Sequence, residues 1–128
     1  MRDRMVKHSF WSSKTVQSLD WLGRLLFIGV WGCAENNGVC LDDPFQIAAS
    51  VFPKDTQKDS AKMTLEVDER LWIMHEKGII RRFSENLEKS KNFLEITNFM
   101  EHQDLRHKLK NPKYPNYQPK EHVLRERT

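Results

Sequence analysis

Residues 20–53 read DWLGRLLFIGVWGCAENNGVCLDDPFQIAASVFP, and this stretch decides the fold. Asp20 is a suitable N-cap for a long helix that is apolar on nearly all sides, as expected for a helix in the middle of a domain. Asn36-Asn37-Gly38 predicts the end of that helix, because Asn and Gly tolerate the left-handed backbone of a helix stop. Val39-Cys40-Leu41 is then long enough only for a strand stub.

A second helix follows the strand stub at once. Asp43 is a suitable N-cap and Pro44 fits the first helical position, and Pro53 predicts the end of this helix. Upstream, residues 9–19 predict a short lead-in helix anchored by Phe10 and Trp11.

The next part of the chain predicts a polar loop, a third helix and a hairpin. Residues 54–62 carry no hydrophobic anchor and are expected to form the loop. Residues 64–77 carry apolar side chains at helical spacing, which are expected to face the core: Val67, Leu71 and Met74. Residues 80–84 and 92–97 predict two strands that flank a charged turn.

The net charge of +3 is unevenly placed along the 128 residues. Residues 1–97 carry 14 basic and 14 acidic side chains, whereas residues 98–128 carry 7 basic and 4 acidic ones. The last part of the chain also contains three prolines, which exclude a continuous helix: Pro112, Pro115 and Pro119. We therefore predict a folded body over 1–99 and a basic, extended arm over 100–128, whose final residues 121–128 form a frayed helix or are disordered.

Several classes of protein are not expected. The apolar run from Trp21 to Ala34 is shorter than a bilayer span and contains Arg24, and no signal-peptide pattern follows the first residues. The cysteines Cys33 and Cys40 make no disulfide framework, so we expect a reduced cytosolic protein with no membrane partner.

The element order predicts an α+β fold that is mainly helical. Helix, strand stub, helix, helix and two-stranded hairpin is the order of a winged helix-turn-helix, in which the hairpin is the wing and pairs with the stub. Any other small α+β domain with the same elements remains an alternative.

Ten segments strengthen the winged-helix prediction: Phe10-Trp11, Leu22–Trp31, Ala34–Gly38, Asp42–Pro44, Val51–Pro53, Leu71 with Met74, Gly78–Ile80, Asn98-Phe99, His102-Gln103 and Asn111-Pro112. In these segments, over roughly residues 9–115, the chain resembles small phage and prophage proteins related to the N-terminal winged-helix domain of DnaD-like phage replication initiators. The resemblance implies a winged helix that binds double-stranded DNA at replication origins or operators, without catalysis. Such initiators usually continue into a second domain for the helicase loader, so that activity is not expected here.

The third helix would be the recognition helix, but its early exposed positions are acidic. Glu66, Asp68 and Glu69 oppose the single Arg70, and carboxylates in a major groove are repelled by phosphates. We therefore place the DNA contacts mainly around that helix, on the wing and on the arm, at Lys58, Lys62, Arg70, Arg81, Arg82, Lys89, Lys91, Arg106, Lys108 and Lys110.

A protein-binding role is the alternative. The chain would then be a small phage inhibitor or adaptor that binds a host or phage protein through the acidic helix, at Glu66, Asp68, Glu69, Trp72 and Ile73. If Trp72 is exposed, it favours this interface or a homodimer; otherwise the helix is rotated and Trp72 packs under the arm or against Phe99.

Catalytic and metal sites are not predicted. The sequence has no glycine-rich phosphate loop and no nucleophile or zincin motif. The candidate zinc ligands lack paired spacing, so no cofactor or metal is expected at Cys33, Cys40, His75, His102 and His107.

Overall fold

The fold is α+β, with six helices and a four-stranded antiparallel sheet among the residues that the computed structural model describes. These are residues 1–85, 91–99, 103 and 112–128. The helices are α1 (His8–Ser12), α2 (Lys14–Gln17), α3 (Trp21–Cys33), α4 (Pro44–Val51), α5 (Pro53–Lys58) and α6 (Ser60–Glu76). The strands are β1 (Val39–Leu41), β2 (Ile80–Ser84), β3 (Asn92–Ile96) and β4 (Val123–Leu124).

The predicted caps begin α3 and α4. The Asp20 carboxylate accepts a hydrogen bond from the Gly23 N–H at 2.7 Å, and the Asp43 carboxylate accepts one from the Gln46 N–H at 3.1 Å. Pro44 is the first residue of α4, where a missing N–H costs nothing. Helix α3 ends at Cys33, about one turn before the end we expected at Asn36.

The sheet has the strand order β1-β3-β2-β4. The predicted hairpin is present, since Ile80 pairs with Ile96 and Ser84 with Asn92 in an antiparallel register. The strand stub β1 pairs with β3, with Cys40 opposite Leu94. The turn over 86–90 lies outside the described residues.

The predicted loop over 54–62 is wrong. Pro53 ends α4 but also begins α5, because proline fits the first turn of a helix as well as it breaks the previous one. The Thr56 side chain is buried and its hydroxyl donates to the Ala48 carbonyl at 3.0 Å, so α5 is held by a polar contact with no hydrophobic anchor. The predicted lead-in helix is likewise two short helices, because the Ser13 side chain caps α2.

The main core lies between α3, α6 and the sheet. The predicted inward face of α6 is confirmed, since Val67, Leu71 and Met74 are fully buried. Phe10 joins the core through edge-on contact with Trp31 at 5.5 Å between ring centroids, but Trp11 is 60% exposed and does not anchor the helix as predicted.

The prediction that α3 is apolar and buried on nearly all sides holds for only part of its surface. Leu26, Phe27, Val30 and Trp31 are buried, whereas Trp21 at its start is 84% exposed. Leu25, one turn later, is exposed as well.

The described part of the C-terminal segment packs against the sheet. Tyr114 and Tyr117 lie against a small cluster formed by Val39, Phe83 and Phe93. The prediction of a frayed helix or disorder over 121–128 is wrong, because β4 pairs with the outer edge of β2.

Gly38 offers a test of the turn between α3 and β1. It has φ +82°, and an added Cβ would lie 2.7 Å from Cβ of Phe99. Gly38→Ala should therefore destabilise the protein by about 1 kcal/mol for the strained backbone and by about 1–3 kcal/mol more for overpacking. Denaturant unfolding followed by circular dichroism measures the loss.

Gly78→Ala is the matched control. Gly78 has φ +79°, but an added Cβ would meet no atom within 4 Å, so only the backbone cost of about 1 kcal/mol should appear. Equal losses in the two variants would contradict the tight contact with Phe99.

Candidate functional site

The predicted DNA-contact residues fall into two groups. The described lysines are exposed and form no ion pair with other described residues: Lys58, Lys62 and Lys91. The arginines are bound to carboxylates of the same chain: Arg70, Arg81 and Arg82. Both groups were predicted as DNA contacts, because the sequence does not show which cations have partners within the fold.

Lys58 and Lys62 flank the short connection between α5 and α6. Asp59 caps α6 by accepting a hydrogen bond from the Lys62 N–H at 3.1 Å. Lys54, one turn before Lys58, is also exposed. We call these three residues the lysine corner. It presents three exposed lysine side chains near the N-terminus of α6, next to the exposed carboxylates of Asp55 and Asp59.

Lys91 lies at the turn end of the hairpin, directly before β3, and lines an open cleft of about 490 Å³. Lys113 and Tyr114 of the C-terminal segment line the same cleft, as does Asp43. The sequence placed Lys113 on a separate arm, so only the folding of this segment onto the sheet brings the two lysines together.

Arg70 joins α6 to the start of α3. Its guanidinium donates to Asp20 at 2.8 Å and also pairs with Glu66, one turn earlier on α6. The hydrogen bond from Arg70 lowers the pKa of Asp20 below its ordinary value. Arg70 and Glu66 are therefore engaged with each other rather than presented as a free cation and a free anion.

Arg81 is half-exposed on β2 and pairs with the buried Glu95 of β3 at 2.7 Å. Glu95 also accepts hydrogen bonds from the Asn116 side chain and from the Tyr117 N–H. The Arg81 guanidinium lies 5.8 Å from the centroid of the Tyr117 ring. Arg81 thus holds the C-terminal segment against the sheet.

Arg82 is fully buried, which contradicts its assignment as a DNA contact. Its guanidinium donates to both carboxylate oxygens of Asp42, at 2.7 and 2.8 Å, and to Asp68 at 2.8 Å. It also lies 4.3 Å from the centroid of the Trp72 ring. Successive side chains of a strand point to opposite faces, so one of the two adjacent arginines points inward. A buried guanidinium cannot contact a phosphate.

Trp72 is 8% exposed, so the prediction of an exposed aromatic interface is wrong. Trp72 packs under the C-terminal segment, as the alternative predicted, because the Arg125 guanidinium lies 5.2 Å from the ring centroid. The rotation of the helix that went with this alternative is wrong, since Val67, Leu71 and Met74 still face the core. Ile73 is partly buried against the main core. Neither residue presents a free apolar surface.

The acidic face of α6 is paired within the chain as well. Asp68 pairs with Arg82, and Glu69 pairs with Arg127. The predicted protein-binding face is therefore occupied by the chain's own arginines. The pairing with Arg127 could not be found from the sequence, because the two residues are far apart in the chain.

Four further DNA candidates lie outside the described residues: Lys89, Arg106, Lys108 and Lys110. The same holds for two of the histidines considered as metal ligands, His102 and His107. Within the ranges that are described, no three His, Cys, Asp or Glu side chains are grouped to hold a metal ion. In the same ranges, no helix is long and apolar enough to cross a membrane.

Both cysteines are free thiols, and Cys40 is buried whereas Cys33 is partly exposed. Burial raises the pKa of each thiol above its ordinary value. A neutral thiol is a poor nucleophile, so we expect these two cysteines to contribute to packing and not to reactivity.

No family model, no curated protein and no solved structure matches this chain.

Asp42 should be the most sensitive carboxylate in the chain. Asp42→Ala leaves the buried Arg82 without its bidentate partner, so we expect a loss of about 3–5 kcal/mol in the free energy of unfolding. Chemical denaturation measures this loss.

Asp43→Ala is the control at the neighbouring position. Asp43 is exposed and caps α4, so its loss should cost only about 1 kcal/mol. A loss for Asp42→Ala no larger than for Asp43→Ala would contradict the importance of the buried pair.

His75 should make the stability depend on pH. Its Nδ1 accepts a hydrogen bond from the Arg82 N–H at 3.0 Å, and burial, together with the charge of Arg82, lowers its pKa below the ordinary value. The unfolded chain therefore takes up a proton at this histidine first, and stability should fall as the pH drops below about 6.5.

Unfolding at about pH 7.5 and about pH 5.5 checks this expectation. His75→Gln retains an acceptor for the Arg82 N–H but does not titrate, so the stability of this variant should depend less on pH. The same pH dependence in both proteins would exclude His75 as its source.

Proposed function

We propose that this protein is a winged-helix DNA-binding protein of phage origin that acts in replication initiation or transcriptional control. The observation that carries the proposal is the element order α3, β1, α4, α6, β2, β3 together with the strand order β1-β3-β2. In a winged helix the stub strand pairs with the second strand of the wing, and β1 pairs with β3 here. Helices α4 and α6 then form the helix-turn-helix, with α5 in the turn.

The positions of the free lysines support DNA as the partner. In a helix-turn-helix the first helix crosses the phosphate backbone and the N-terminal part of the recognition helix enters the groove. The lysine corner lies on α5 and on the first turn of α6, and Lys91 with Lys113 lies near the turn end of the wing. Such contacts position a protein on duplex DNA and make its affinity depend strongly on salt.

The acidic residues of α6 oppose DNA binding less than the sequence implied. Their carboxylates are paired with arginines of the same chain, so the face carries less unpaired negative charge. For the same reason, a partner protein reaches the carboxylates of Glu69 and Asp68 only where it displaces an arginine of this chain.

Phosphate contact can be tested with a fluorescent DNA duplex and a double variant of the lysine corner. Lys58→Ala combined with Lys62→Ala should weaken binding roughly tenfold and reduce the slope of log affinity against log salt by about 2, because two phosphate contacts are lost. Anisotropy titrations at about 50 and about 200 mM salt measure both effects.

Lys14→Ala combined with Lys77→Ala is the control with the same change in net charge. Both lysines are exposed and lie away from the lysine corner, on α2 and at the end of α6. The proposal fails if the wild-type protein does not bind duplex DNA at low salt. Equal losses in the two double variants would exclude the lysine corner as the contact.

A further inference from the structure

The C-terminal residues 123–128, which we call the strap, lie in a groove between β2 and α6. Phe83 pairs with Leu124 and Ser84 with Val123, so the strap adds a strand to the outer edge of the sheet. The Arg125 N–H continues this pairing by donating to the Arg82 carbonyl at 2.8 Å.

Two arginines at alternate positions of the strap face the groove. The Arg125 guanidinium donates to the buried Asp42 carboxylate at 2.5 Å and lies over the Trp72 ring. The Arg127 guanidinium pairs with Glu69 and lies 3.9 Å from Glu76. Alternate residues of an extended chain point to the same side, so the groove accommodates the pattern Arg-x-Arg.

The strap is held by few contacts. Its strand has two residues, and both side chains are 42% exposed, so little apolar surface is buried there. The pairs of Arg127 join partly exposed groups, and such pairs contribute about 0–1 kcal/mol each. Arg125 is the principal attachment, through its side chain to Asp42 and through its backbone to Arg82 and His75, so loss of the contacts of this one residue should release the strap.

The groove beneath the strap has the chemistry of a peptide-binding site. It offers an open strand edge, an aromatic ring face and four carboxylates, of Asp42, Asp68, Glu69 and Glu76, against the single guanidinium of Arg82. A strand edge binds an extended backbone, and carboxylates with an aromatic ring bind guanidinium groups.

We propose that this groove binds an extended Arg-x-Arg segment of a partner protein, and that the strap is an intramolecular competitor for the same site. A second copy of the chain is a less favourable occupant, because its strap would make only the contacts already made within one chain and would also lose the entropy of association. A tethered strap acts at an effective concentration of about millimolar, so a free segment binds weakly until the strap is released.

The test uses the full chain and a fluorescent peptide with the sequence of residues 118–128. Arg125→Ala combined with Arg127→Ala weakens the chain's own strap and leaves the groove intact. The peptide should bind this variant at least about tenfold more tightly than it binds the wild-type chain. A peptide in which both arginines are lysines should bind more weakly, because an ammonium group lacks the planar fork of a guanidinium.

Lys14→Ala combined with Lys120→Ala is the matched control. It removes the same charge, but both lysines are exposed and neither contacts a groove carboxylate. Its affinity for the peptide should equal that of the wild-type chain. The proposal is overturned if the two double variants bind the peptide equally, or if the lysine peptide binds as well as the arginine peptide.

Two measurements keep the proposal testable if the double variant does not fold. Arg127→Ala alone removes a partly exposed side chain, and it should raise the peptide affinity by about threefold, because it removes the weak surface ion pairs with Glu69 and Glu76. In the wild-type chain, the amide of Arg125 should exchange with deuterium far faster than the amides between β2 and β3. Equal protection of these amides would overturn the proposal.

A concentration-dependent dimer that is lost in Arg127→Ala would assign the groove to a second copy instead.

Discussion

The fold depends on one buried ion pair, between Arg82 of β2 and Asp42 at the junction of β1 and α4. Both side chains are fully removed from solvent, so each charge requires the other, and separating them would leave an uncompensated ion in the core. Asp68 and Trp72 bring α6 to the same guanidinium. The sheet, the start of α4 and α6 therefore meet at one guanidinium, and Arg125 attaches the C-terminal segment to the same Asp42.

Arginines and lysines occupy different environments in this protein because their charged groups differ in chemistry. A guanidinium is planar, weakly hydrated and able to donate to several acceptors at once, so it suits buried and multiply paired positions such as that of Arg82. An ammonium group is strongly hydrated, and the lysines of the lysine corner remain in solvent.

Local signals in the sequence were sufficient for most of the fold. Asp20 and Asp43 cap helices because a short carboxylate satisfies unpaired N–H groups, whatever lies further away. The apolar spacing on α6 defined its buried face, and the strands of the hairpin were predicted almost to the residue. Helix α5 was missed because its anchor is the hydroxyl of Thr56, which no hydrophobic pattern reveals.

The sequence by itself determined the order of the elements, their caps and the inward face of α6, because each depends on neighbours within a few residues. Only the tertiary structure decided which charges are free. Arg82 became a core residue and Arg125 reached Asp42 because strands distant in the chain pair at one edge of the sheet. A long-range ion pair leaves no pattern in the local sequence. The positions of the free and the paired charges therefore depend on contacts that cannot be read from the sequence.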